Sequence, residues 1–121
     1  MQSNKSLGVS FEQELAQILS QHGYWCKVFH AGTGQPCDVI AVKSNQAYFI
    51  ECKTAKGDTF PTSRIEPNQR SFYDFSVSCG NTNCLLAVRF KSGVRIFHFG
   101  VVSFSKSLNF EGGLKVENVF L

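Results

Sequence analysis

The sequence predicts an α/β domain with a central mixed β-sheet flanked by helices. Three observations carry this. Asp38 to Lys43 and Ala47 to Thr54 are short, largely apolar runs separated by the polar turn Ser44-Asn45-Gln46, the pattern of an antiparallel hairpin. Two stretches, opening at Ser10 and at Pro67, read as helices. Cys84 to Phe90 and Val94 to Phe99 are two further apolar strands, joined by Lys91-Ser92-Gly93, with the composition of strands buried beneath both helices.

Taken in order, residues 1–7 form a polar arm, with Lys5 either a phosphate contact or a solvated lysine. The first helix spans Ser10 to Gln21, with Ser10 as N-cap and Phe11, Leu15, Ile18 and Leu19 as its core-facing stripe. At 100° per residue, Glu12 and Glu14 fall at opposite edges of that stripe, and either can lean over the sheet; the helix dipole alone also favours two carboxylates there. Gly23 supplies the backbone freedom that ends the helix. Tyr24 to His30 reads as a strand rich in aromatic and β-branched residues, with Trp25 in the core or at an interface. His30, at its end, is a phosphate ligand, a base or a structural residue. The loop Ala31-Gly32-Thr33-Gly34-Gln35 allows close approach of another backbone.

The hairpin comes next. A two-residue Ser44-Asn45 loop pairs Lys43 with Gln46 and sets Asp38 opposite Glu51, whereas an Asn45-Gln46 loop sets Asp38 opposite Lys53; in either register Asp38, Glu51 and Lys53 share a face. An odd-length loop without a bulge separates them instead. Two opposed carboxylates repel, and a divalent cation with oxygen ligands relieves the repulsion; Mg²⁺ characteristically uses one or two carboxylates plus water and substrate phosphate. Lys53 is placed to hold a phosphate or to polarise an attacking water, and the Cys52 carbonyl offers a further oxygen. The plainer alternative is a surface hairpin with a solvated Glu-Lys pair. Beyond it, Lys56 beside Gly57 is a phosphate contact or a surface lysine. Arg64 and Arg70 flank the start of the second helix, which carries Gln69, Phe72, Phe75, Ser76 and Cys79 and ends at Gly80. Phe97, Phe99 and Phe104 read as core or dimer surface. The last twenty or so residues carry no chemistry that can be named.

Composition sets the frame. With 43% hydrophobic residues, the 121-residue chain suits one compact domain, residues 1–121. Twelve Lys and Arg against nine Asp and Glu give +3, mildly basic and compatible with a phosphate partner. No apolar run approaches the ~20 residues that cross a bilayer, and the N-terminus lacks a signal-peptide core. Five cysteines, irregularly spaced and without a C-x-x-C pair, argue against zinc and for thiols in a reducing cytoplasm.

Asp38, twelve intervening residues, then Glu51-Cys52-Lys53 resembles the PD-(D/E)XK nuclease core, with Pro36 displaced by one from its usual place beside the Asp. The preceding order, Gly8-Val9-Ser10-Phe11-Glu12-Gln13-Glu14-Leu15, then Gly23-Tyr24-Trp25-Cys26-Lys27-Val28, then Ala31-Gly32-Thr33-Gly34, is similar to archaeal Holliday junction resolvases and RecU-like proteins over roughly residues 5–75. The resemblance implies a restriction-endonuclease-like core and Mg²⁺-dependent hydrolysis of DNA, with Mn²⁺ able to substitute. It selects Glu12 as the helix carboxylate and Gln69 as a neighbour of the site. It offers Thr33 for the serine of the matching loop. A branched DNA substrate, a two-fold homodimer and a prokaryotic or phage cytoplasm are further implications. A restriction- or repair-type endonuclease, and a non-catalytic DNA-binding or assembly module, are the alternatives.

Overall fold

Ser10 begins the first helix as the sequence predicts: its hydroxyl accepts from the Gln13 amide while the Gln13 side chain accepts from the Ser10 amide, closing a capping box. The computed structural model describes residues 10–29 and 35–121. Helix α1 (Phe11–Gln21) leads into strands β1 (Trp25–Val28), β2 (Val39–Lys43), β3 (Gln46–Thr54) and β4 (Thr59–Pro61). Helix α2 (Pro67–Ser78), strands β5 (Cys84–Phe90) and β6 (Gly93–His98), helix α3 (Phe99–Val102), strand β7 (Ser107–Asn109) and helix α4 (Val116–Phe120) complete the order.

The central sheet runs β1-β2-β3-β5-β6. Every pairing is antiparallel except β3 with β5, which are parallel and joined through β4 and α2. The hairpin turns at Ser44 and Asn45, whose φ of 52° and 64° mark the left-handed pair that matches strand twist. Lys43 therefore pairs with Gln46 and Val39 with Ile50.

One face of the sheet, with Val39, Ala41, Ile50, Cys52, Leu85, Ala87 and Ile96, packs on Phe11, Leu15, Ala16 and Leu19 of α1 and on Phe120 of α4. The other, with Leu86, Val88 and Phe97, packs beneath Phe72 and Tyr73 of α2, Phe99 and Val102 of α3, and Phe60 and Leu108. β5 lies between these layers, so all its residues but Arg89 are buried, as its apolar run requires.

Several expectations are corrected. The strand expected over Tyr24 to His30 is only Trp25–Val28; Tyr24 turns inward, and its hydroxyl donates to the Phe120 carbonyl at 2.7 Å. Trp25 is 62% exposed, so it is not core. Ile18 is exposed and Ala16 takes its place in the stripe, while Phe104, read as core or dimer surface, is exposed and so not core. Phe99 opens α3 rather than closing β6. The small β4–β7 sheet lies partly in the tail that had no assigned chemistry, and it buries Phe60 and Leu108.

Candidate active site

Asp38 stands one residue before β2, where the ladder departs from regular pairing: its amide donates to the Ile50 carbonyl at 3.1 Å. Its carboxylate reaches along β3, and Oδ2 accepts from the Cys52 amide at 2.8 Å. That bond fixes the Asp38 side chain beside Glu51, close enough for the two carboxyls to interact directly. Glu51 is buried, at 8% exposure. Burial, then the Asp38 charge, push its pKa up to about 8, and Lys53 partly offsets the rise. Lys53, two residues on and half-buried, shares the face.

Gln69 closes the site from above. Pro67 opens α2, and Gln69 in its first turn donates from Nε2 to Glu51 Oε1 at 2.6 Å. Its Oε1 accepts from the Glu66 amide at 2.9 Å, so both ends of the side-chain amide are held. Glu66 itself was not anticipated. Its backbone carbonyl accepts from the Gln69 backbone N–H at 3.0 Å, and its charge also raises the pKa of Glu51. The Glu66-x-x-Gln69 spacing is a capping-box signal that could have revealed it.

Glu12 stands apart from this group. It is half-buried in the first turn of α1, on the opposite layer of the sheet, where its charge is felt by the buried Cys52 thiol. Among the described residues, no three of His, Cys, Asp and Glu converge as a ready cation cage. Asp38 and Glu51 thus form a two-carboxylate pair, and Glu12 approaches from the other layer, its charge and that of Asp38 both felt by the Cys52 thiol. Glu14 is engaged elsewhere, by Arg89.

The family model for archaeal Holliday junction resolvases (Hjc) matches residues 3–119. This chain belongs to that family. The resolvase is accordingly a structure-specific endonuclease whose substrate is a DNA junction. The fold agrees. A solved structure described as Archaeoglobus fulgidus Hjc at 1.6 Å, a Holliday junction resolvase from an archaeal hyperthermophile, superposes with a TM-score of 0.74 at 18% identity, covering 94% of this chain and 100% of that one. No curated protein matches the chain.

In the resolvase, two of the predicted phosphate contacts also have structural work. Arg64 is exposed; its Nη1 donates to the Thr54 carbonyl at 2.8 Å, and its guanidinium lies 4.8 Å from the Phe60 ring centre. This tethers a cation at the exit of β3, just beyond Lys53. Arg70 is half-buried and donates to the Thr62 carbonyl at 3.2 Å. Lys56 is exposed on the turn after β3. Lys5, His30 and Thr33 lie outside the described residues. No helix among the described residues is long and apolar enough to cross a membrane.

Proposed function

We propose that this resolvase hydrolyses junction phosphodiesters at Asp38, Glu51 and Lys53 with the help of Mg²⁺, for which Mn²⁺ can substitute. The observation that carries the reading is the Asp38–Glu51 pair. Two adjoining carboxyls, one buried and held partly neutral by the other, gain most from an intervening divalent cation. Asp38 and Glu51 would hold the ion, with the Cys52 carbonyl as a further oxygen and Glu12 acting through water from the α1 layer. The ion's chemistry is to lower the pKa of bound water and offset charge on the scissile phosphate.

The chain's own groups do the rest. The Cys52 amide orients Asp38 and the Gln69 amide orients Glu51, so neither carboxylate has to reorganise when substrate arrives. Lys53 presents an ammonium on the same face, to align the attacking water and to stabilise the charge that builds on the phosphorus oxygens. Lys5, His30, Thr33, Lys56, Arg64 and Arg70 supply backbone contacts, which set affinity without reading sequence.

A two-fold dimer is part of the proposal, since paired cuts across a junction need paired centres. Trp25 on β1 and Phe75 on α2 are large apolar side chains left 62% and 67% accessible, and a second copy would cover such surface. The deciding experiment is cleavage of a four-way junction with and without Mg²⁺, alongside flap, nicked and linear duplexes and the Asp38→Asn protein. Metal-dependent cutting of the junction that vanishes in the variant is expected. Binding without metal-dependent nicking would mark a non-catalytic DNA-binding module instead.

A further inference from the structure

The ion pair between Arg89 and Glu14 joins two elements far apart in sequence, the end of β5 and the first turn of α1. Arg89 also lies over the Phe11 ring, 4.7 Å from guanidinium carbon to ring centre. One side chain therefore grips two residues of that turn. Arg89 is paired in register with Thr54, the residue after Lys53, so the grip is anchored at the same end of the sheet as the site.

Helix geometry says what the grip controls. Phe11, Leu15, Ala16 and Leu19 define the buried side of α1. Glu14 lies 200° round the helix from Glu12 at 100° per residue. A helix pinned towards β5 through Glu14 and Phe11 turns Glu12 the other way, on the face of the sheet where Cys52 is buried. The influence of the Glu12 charge on the Cys52 thiol agrees with that direction. Glu12 has no hydrogen bond or ion pair of its own among the described residues, so its aim depends on the rotation of the helix that carries it.

We propose that Arg89 is a positioning residue: by holding Glu14 and Phe11 it sets the rotation of α1 and aims Glu12 at the catalytic end of the hairpin. This rests on the reading of Glu12 as a site residue. A double-mutant cycle tests it on the full-length protein. Arg89→Ala, Glu14→Gln and Glu12→Gln are each compared with the wild type, and Arg89→Ala is also combined with Glu12→Gln. The measurements are single-turnover junction cleavage, junction affinity, Mn²⁺ affinity of the free protein, and Tm. Glu14 is exposed, so its substitution releases the grip without opening the core and serves if Arg89→Ala folds poorly.

Arg89→Ala and Glu14→Gln should slow the cleavage step about 10-fold or more and weaken Mn²⁺ binding, with junction affinity unchanged. In the Glu12→Gln background, Arg89→Ala should add nothing. Arg89→Lys should rescue partly, since an ammonium keeps the charge but not the planar stack on Phe11. The proposal is overturned if Arg89→Ala costs as much without Glu12 as with it, if only junction affinity falls, or if Tm drops while the rate holds. If Glu12→Gln is fully active while Asp38→Asn is dead, the hairpin mechanism stands and the role of Arg89 fails with that of Glu12.

Discussion

The side-chain amide of Gln69 donates to Glu51 at 2.6 Å while accepting from the Glu66 backbone at 2.9 Å, so one residue of α2 holds a carboxylate of β3 in a set orientation. A hydrogen bond to a charged group contributes about 1.5–3 kcal/mol. Gln69→Ala should therefore lower the cleavage rate about 10- to 100-fold with little change in junction affinity. Gln69→Glu should be worse, because it sets a third carboxyl against Glu51. Single-turnover rates beside binding isotherms make the check, and an unimpaired Gln69→Ala enzyme would show that Glu51 needs no such support.

Asp38→Asn and Glu51→Gln should each abolish cleavage and leave binding intact. Asparagine can still accept from the Cys52 amide, so the local fold survives while the charge is lost. Removing one such electrostatic group costs about 2.7–4 kcal/mol of barrier, or 10²–10³ in rate. Lys53→Met should fall in the same range. Cleavage at wild-type rate in the Asp38 or Glu51 variant, on a junction that each still binds, would refute the assignment.

The acidity of Glu51 makes a prediction about stability in metal-free buffer. Its carboxyl is displaced upward from 4.5 to about 8, chiefly by burial and next by Asp38. The folded state therefore holds a proton that the unfolded chain has already lost. The stabilising contribution is complete below about pH 4.5 and fades as pH rises towards 8. Tm should fall across that window, and Glu51→Gln should flatten the profile and stabilise the apo-protein at pH 8 by on the order of 2 kcal/mol. Added Mg²⁺ or Mn²⁺ should raise Tm more at pH 8 than at pH 5.5, because the proton competes with the ion. Thermal melts with chelator and with metal decide it.

The hairpin was legible from sequence because its evidence is local: a two-residue polar loop sets the register, and the register sets which side chains share a face. Gln69 was found through likeness to a family, not through any pattern of its own, and the 2.6 Å bond gives that placement its physical content. The same likeness selects Glu12, but that α1 covers the Cys52 side of the sheet is a matter of layer order that no single helix encodes. Whether Trp25 is core or interface is undecided in sequence for a similar reason. Alternation along β1 is readable, yet which side lacks a covering helix depends on where α2 lies. The strands β4 and β7 have three residues each and pair across some fifty positions, too short for periodicity and too distant for a turn signal.

The turn itself gives the last test. Ser44 and Asn45 both hold positive φ, where a side chain is strained unless it is Asn, Asp or Gly. Replacing Ser44-Asn45 by Asn-Gly should stabilise the protein by about 0.5–1 kcal/mol and leave catalysis untouched, since the register is unchanged. Asn45→Val should cost at least as much in the other direction. Inserting a single glycine after Asn45 should do something different in kind. The insertion either forces a bulge or slips the strand by one residue, and a slip turns Glu51 and Lys53 away from Asp38. Cleavage should then fall by more than the loss of Tm accounts for. If the inserted protein keeps full activity and full stability, the alignment of the three residues does not depend on this loop.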